Sequence, residues 1–241
     1  MKPDPITIYT LQFPDFGKVS RKRFLAIVHH HIFTFALKHQ ETIAQMGGCA
    51  DYFHTQKNKP KTVPVLIHGL QKDGLVTVRA YTQKATDTLA IWYRMFKEKH
   101  PEYCTHVIKT TETYTPKQLK KPLVYKSTNW IPYRNLQESD SGYIDNDRGQ
   151  SADFNTRIIG NVRTLTNNLY PATSDIHLEV DLKKVKTPHK SILALMTRHE
   201  DVLTPIYKYA FTVTLTTNVS LPSYFSLGQN VSYGNGIFER I

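Results

Sequence analysis

The chain has 241 residues, 40% of them apolar and 21% charged, which is enough to bury a proper core and excludes a disordered chain. Lys and Arg number 31 against 20 Asp and Glu, and the net charge of +11 favours a polyanionic partner, because a basic surface releases counterions on meeting phosphate. No apolar run approaches the roughly 18 residues of a spanning helix, the N-terminal stretch lacks a signal-peptide core, and Cys49 with Cys104 make neither a disulfide framework nor a metal-ligand spacing, so a reduced, cytoplasmic protein without a membrane partner is expected.

Ile6, Ile8, Leu11 and Phe13, set among Thr7, Tyr9 and Thr10, form a β-prone run closed by Pro14, Asp15 and Gly17. Ser20 then caps a long helix from Arg21 to about Gln45, with Leu25, Val28, Ile32, Phe35, Ala36 and Ile43 at helical spacing. Val63 to Leu70 and Leu75 to Tyr81 read as strands joined through the Asp73-Gly74 turn. Thr86 or Asp87 caps a second helix, Thr88 to Lys99, and Tyr103 to Tyr114 is a Thr-rich strand. Strand, helix, strand, strand, helix, strand is the ferredoxin-like order, whose open sheet carries helices on one face and leaves the other for a ligand.

Pro116, Pro122 and the lysines between them mark a domain boundary, giving an N-terminal domain of residues 1–115 and a C-terminal one of residues 123–241. Beyond it the pattern restarts. Leu123 to Pro132 reads as a strand, Glu138 to Gln150 as a polar loop, and Phe154 to Leu169 as a helix. Ile176 to Val185 alternates, Ser191 to His199 is a short second helix, and Tyr207 to Val219 alternates again. The expected fold class is α+β, two tandem ferredoxin-like (RRM-like) βαββαβ domains.

Gly228, Gly234 and Gly236 punctuate the polar C-terminal stretch, with Ile237 and Phe238 behind them. Glycine spacing of this kind suits a loop at 226–236 that offers peptide N–H groups to a phosphate chain, and suits equally a glycine-rich hairpin closing a sheet.

Asn218, Leu221, Pro222, Leu227, Gly228, Val231, Ser232, Gly234 and Gly236 resemble the C-terminal signature of the CRISPR-associated endoribonucleases of the RAMP superfamily, the glycine-rich-loop enzymes that cut repeat RNA (pre-crRNA) into guide RNAs. Tyr125, Trp130, Ile131 and Pro132, followed by Arg157, Ile158, Ile159, Gly160 and Asn161, are similar to the start of the second domain in one branch of that family. The resemblance implies a metal-independent endoribonuclease without a cofactor, acting on precursor CRISPR transcripts by 2′-OH attack on the adjacent phosphate. Its partners would be CRISPR repeat RNA, the guide RNA product and other subunits of a multi-protein effector complex. The alternative is a catalytically inactive repeat-RNA-binding subunit of such a complex. Ser226 stands where the family has its first glycine, and Gln229 and Tyr233 stand where it has a base.

Self-cleavage chemistry of RNA needs a base for the 2′-OH, an acid for the leaving 5′-oxygen and positive charge at the phosphate, and histidine serves well near pH 7. The resemblance places a catalytic histidine at the end of the first helix, where His39 fits. Helical periodicity places the same residue on the stripe of Leu25, Val28, Ile32 and Ala36, as a core histidine. His29, His30 and His31 are consecutive, so their side chains point about 100° apart and do not converge on one metal. Tyr52 and His54, just past Gly47-Gly48, are a second acid or base. Cationic candidates for RNA are Arg21 and Arg23 with Lys18 and Lys22, Lys126 with Lys117, Lys120 and Lys121, and Arg157 with Arg163 on the third helix. Gly228, Gln229, Asn230, Ser232, Tyr233, Gly234 and Gly236 complete the RNA-binding set, Tyr233 by stacking on a nucleotide and Asn230 by hydrogen-bonding its edge.

Overall fold

Alternation along Ile6–Phe13 (β1) is the start of the first sheet in the computed structural model, which describes residues 5–53, 67–72, 75–115, 117–131, 147–169, 180–185, 189–196, 203–228 and 236–241. β1 is followed by helices α1 (Arg21–Lys38) and α2 (Gln40–Gln45), strands β2 (Ile67–Lys72) and β3 (Leu75–Tyr81), helix α3 (Gln83–Lys99) and strand β4 (Ile108–Tyr114). The four strands form an antiparallel sheet in the order β2-β3-β1-β4, the ferredoxin arrangement. Leu11 and Phe13 on β1, with Val76 and Val78 opposite them on β3, are fully buried. Phe13 meets Phe24 of α1 at 5.4 Å and Phe96 of α3 at 5.8 Å, so this face carries the helices.

The opposite face was expected to be open for a ligand, and it is not. Ile8, Thr10, Arg79 and Tyr81 on that face are at most 6% exposed. Arg79 donates through Nε to Thr10 Oγ1 at 3.2 Å and pairs with Glu112 of β4, so a buried guanidinium is matched there by a carboxylate. Ile8 and Tyr81 gain from burial there, and the polar Thr10 and Arg79 between them are satisfied by one another and by Glu112.

Three boundaries differ from the sequence pattern. Ser20 caps α1 as expected, its Oγ accepting from Arg23 N–H at 3.2 Å, but the helix ends at Lys38 and restarts at Gln40. His39 sits at the break with φ −118° and ψ 26°. Helical spacing sets His39 about 20° from Val28, and in the structure its ring lies 5.8 Å from that of Phe35 but is only half-buried, so the polar ring is not sealed in the core. Thr82, not Thr86 or Asp87, caps α3, accepting from Ala85 N–H, while the Thr86 hydroxyl donates back to the Thr82 carbonyl. Residues Pro101–Tyr103 form a 3-10 turn that seats Tyr103 against Phe24 at 4.8 Å, so β4 begins only at Ile108.

The chain divides into two compact units, one holding Ile6–Tyr114 with Ala194–Pro205, the other Thr115–Leu193 with Ile206–Ile241. Both are ferredoxin-like α+β units. The second contains β5 (Gln118–Trp130), α4 (Asp147–Leu169), β6 (Val180–Val185), β7 (His189–Met196) as far as Leu193, β8 (Leu203–Val219) from Ile206, β9 (Tyr224–Ser226) and β10 (Ile237–Arg240). Its sheet runs β6-β8-β5-β10-β9, with β7 also paired to β8. The lysine-rich stretch read as a linker is largely strand: β5 already begins at Gln118, and its register against β8 shifts between Gln118 and Leu123, around Pro122, which has no N–H for the ladder. Residues 147–150, read as loop, are the first turn of α4. Ser191 onward, read as a helix, is strand β7; an unbroken apolar run carries no helical period and pairs as a strand where a neighbour offers its edge. Residues 63–66, 138–146, 176–179 and 197–199 of the expected elements lie outside the described residues.

Candidate active site and RNA-binding segments

His39 joins α1 to α2 with the backbone ladder continuing through it. Its N–H donates to the Phe35 carbonyl at 3.0 Å, and its own carbonyl accepts from Ile43 N–H at 2.8 Å, where the fully buried Ile43 anchors α2. The imidazole is half-buried, with its ring 5.8 Å from that of Phe35. It is therefore neither sealed in hydrocarbon nor loose.

The ring opens on a cavity of about 420 Å³. One wall is α1 and the break, with His30, His31, Thr34, Phe35, Lys38 and His39. The other is α3, with Met95, Glu98 and Lys99. His30, Lys38, Glu98 and Lys99 are exposed at its rim. His31 packs deeper, edge-on to Phe96 at 5.1 Å, to Trp92 at 5.8 Å and to His100 at 5.9 Å. Burial, and then the positive fields of His100, Lys99, His30 and His39, push its pKa down to about 3, so it is neutral at physiological pH. His30 Nε2 lies 3.3 Å from Thr34 Oγ1, and burial, then Lys99 and Lys38, lower its pKa too. Among the described residues no group of three His, Cys, Asp or Glu side chains is arranged to hold a metal ion.

Tyr52 closes a 3-10 turn, Ala50–Tyr52, next to Phe53, whose ring meets Phe35 at 5.8 Å. It is half-buried and does not line the cavity. Burial and then Cys49 raise its pKa, so its phenol keeps the proton at neutral pH. Linear spacing did not point to Glu98 or Lys99; only the packing of α3 along α1 brings the end of one helix beside His30.

The glycine-rich stretch is the connection of a β-hairpin. Ser226, Phe225 and Tyr224 of β9 pair with Ile237, Phe238 and Glu239 of β10. Its base is closed by Leu227 N–H to the Gly236 carbonyl at 2.9 Å and by Gly236 N–H to the Asn129 carbonyl at 2.6 Å. Gly236 has φ +65°, and a Cβ there would lie 1.8 Å from the Leu227 carbonyl oxygen. Gly228 has φ +97°, and a Cβ would meet the Ile131 carbonyl at 2.7 Å and the Trp130 indole nitrogen at 2.9 Å. These two glycines are thus required by the chain's own packing. Gln229, Asn230, Ser232, Tyr233 and Gly234 lie outside the described residues, as do His54 and the side chain of Lys22.

The Asn-x-x-Leu-Pro stretch has a structural role of its own. The buried Tyr125 hydroxyl donates to the Leu221 carbonyl at 3.0 Å and lies 3.2 Å from Leu221 N–H, which donates to it. Leu221, Pro222 and Asn218 are buried, so this clamp sets the turn from β8 into the hairpin. Trp130 meets Phe154 of α4 at 5.7 Å, so this tryptophan of the second motif packs against the helix that carries Arg157–Asn161. Arg157 and Arg163 are exposed on α4 and, six positions apart, stand about 120° from one another around its axis, not on one face. Arg21 is exposed and Arg23 half-buried at the start of α1. Lys126 is exposed on β5, directly across from Glu239.

No family model matches the chain, and no curated protein does. Solved structures do match. The crystal structure of the CRISPR RNA processing endoribonuclease Cas6b is similar with a TM-score of 0.61 and 15% identity, covering 99% of this chain and 100% of that one. A further Cas6b structure gives 0.62 at 15% identity over the same shares. Csf5, a type IV CRISPR-Cas Cas6 crRNA endonuclease, gives 0.56 at 15% identity over 98% of this chain and 99% of that one. From end to end, this chain has the tandem ferredoxin-like fold of the Cas6-type CRISPR RNA processing endonucleases.

Proposed function

We propose that this protein is an endoribonuclease that cuts CRISPR repeat RNA within precursor transcripts to release guide RNAs. One observation carries the reading: in a chain with this fold, an imidazole, His39, is held at a helix break on the wall of a cavity rimmed by lysines. RNA brings its own nucleophile, so the reaction needs no metal. His39 takes the proton of the 2′-OH, the 2′-oxygen attacks the adjacent phosphorus, and the bond to the 5′-oxygen breaks. The leaving 5′-oxygen receives a proton, and the products are a 2′,3′-cyclic phosphate and a 5′-hydroxyl. Tyr52, which keeps its proton at neutral pH and stands outside the cavity lining, is proposed as the donor where the scissile phosphate extends out to it. Lys38 and Lys99 supply positive charge at the cavity. Arg21, Arg23, Lys126, Arg157, Arg163 and the 228–236 loop are proposed to bind the repeat outside it.

The test is incubation with labelled hairpin repeat RNA in EDTA, with a 2′-deoxy nucleotide at the cut as control. His39→Ala should abolish cutting and leave binding nearly intact; a variant that cuts like wild type removes His39 from the mechanism. Wild-type protein that retains the RNA but never shortens it would instead be a binding subunit of an effector complex.

A further inference from the structure

The cavity extends past what a single proton transfer requires. Lys38 ends α1 and Lys99 ends α3, and both are near enough to His30 to depress its titration, so their fields overlap inside one groove. Glu98 is the acidic side chain of the lining. At about 420 Å³ the groove is at the small-ligand end of the range of about 300–1,000 Å³ and has room for a nucleotide, not for a duplex. Phe35 and His31 give it an aromatic floor, which with a cationic rim is the combination that tracks single strands.

We propose that the groove between α1 and α3 binds a single-stranded segment of the RNA adjoining the cut, with Lys38 and Lys99 each contacting a backbone phosphate. The inference rests on the reading of this cavity as the RNA-cleavage site. Burial and, after it, the fields of Lys99 and Lys38 lower the pKa of His30; phosphate between the two lysines offsets the field part, so binding favours the proton on His30. The other charged and titratable groups facing it are His31 and His39 on its own wall, Glu98 on α3, and His100 beyond α3, whose Nδ1 lies 3.4 Å from Glu102. Binding therefore tightens as pH falls through the range in which His30 takes up its proton, and His30→Gln removes part of that dependence.

The experiment uses hairpin repeat RNA with a 2′-deoxy nucleotide at the cut, with and without a single-stranded extension, titrated against the full chain over a salt series. Lys38→Ala and Lys99→Ala should each weaken binding of the extended RNA by about three- to tenfold and lower the salt slope by about 0.7. Glu98→Gln should tighten it. Lys97→Ala removes the same charge from the same exposed helix but outside the cavity lining, and should have a smaller effect. The proposal is overturned if Lys99→Ala matches wild type, if Lys97→Ala costs as much, or if the loss is equal for RNA without the extension. Cleavage by His39→Ala scores the nuclease reading separately, since binding of uncleavable RNA does not depend on it.

Discussion

His31 offers a quantitative test of how the first unit is built. An unfolded chain protonates this histidine near pH 6.5, whereas the folded chain resists protonation down to about 3. Below pH 6.5 the unfolded state therefore binds more protons, and stability falls as pH falls. For a single group with these two values the loss between pH 8 and pH 5 is about 2 kcal/mol. Part of the ring reaches solvent, which reduces the measured loss to about 1–2 kcal/mol. His31→Leu keeps an apolar side chain against Trp92 and Phe96 and removes the proton. The assay is urea unfolding at both pH values, read from Trp92 fluorescence in a Trp130→Phe background, because Trp92 lies in the same unit as His31. Wild type should lose that much more stability than His31→Leu between pH 8 and pH 5, at unchanged m-value. Equal losses in the two proteins would mean that His31 takes up its proton freely in the fold, and that the picture of a buried imidazole ringed by cations is wrong.

The hairpin gives sharper effects. Gly236→Ala adds left-handed strain of about 1–2 kcal/mol to a clash with the Leu227 carbonyl, and should lower Tm by more than about 4 °C in thermal unfolding. Gly160→Ala, where a Cβ meets nothing within 4 Å, should be neutral or slightly stabilising in the same measurement. Tyr125→Phe leaves the Leu221 N–H and carbonyl without their hydroxyl partner and should cost about 1–3 kcal/mol by denaturant unfolding. Glu112→Gln removes the carboxylate charge beside the Arg79 guanidinium, which is 7% exposed; because Glu112 is itself half-exposed, the expected cost is about 1–2 kcal/mol.

What could be read without coordinates came from local rules. Ser20 announces α1, the alternation through β1 and β3 announces the first sheet, and Gly228 and Gly236 announce a special backbone near the C-terminus. Side-chain chemistry and near-neighbour spacing suffice for such features, because the forces that create them act within a few residues. The Ser191 region failed for the converse reason: an apolar run with no period takes whichever structure its neighbour pairs with, and that neighbour is β8. His39 shows the same limit at the candidate site. Periodicity would bury it, and the resemblance would expose it. The structure leaves it half-buried at the junction of α1 and α2 with its backbone ladder intact, an outcome set by how the two helices pack. The meeting of His30 with Lys99 is also tertiary, since two side chains 69 positions apart share a cavity only once α3 is packed along α1. The sequence by itself determined the residue types and the strand-helix order of the first unit; packing alone decided which imidazole faces solvent beside which cations, because a site's electrostatics depend on distances that only the folded chain sets.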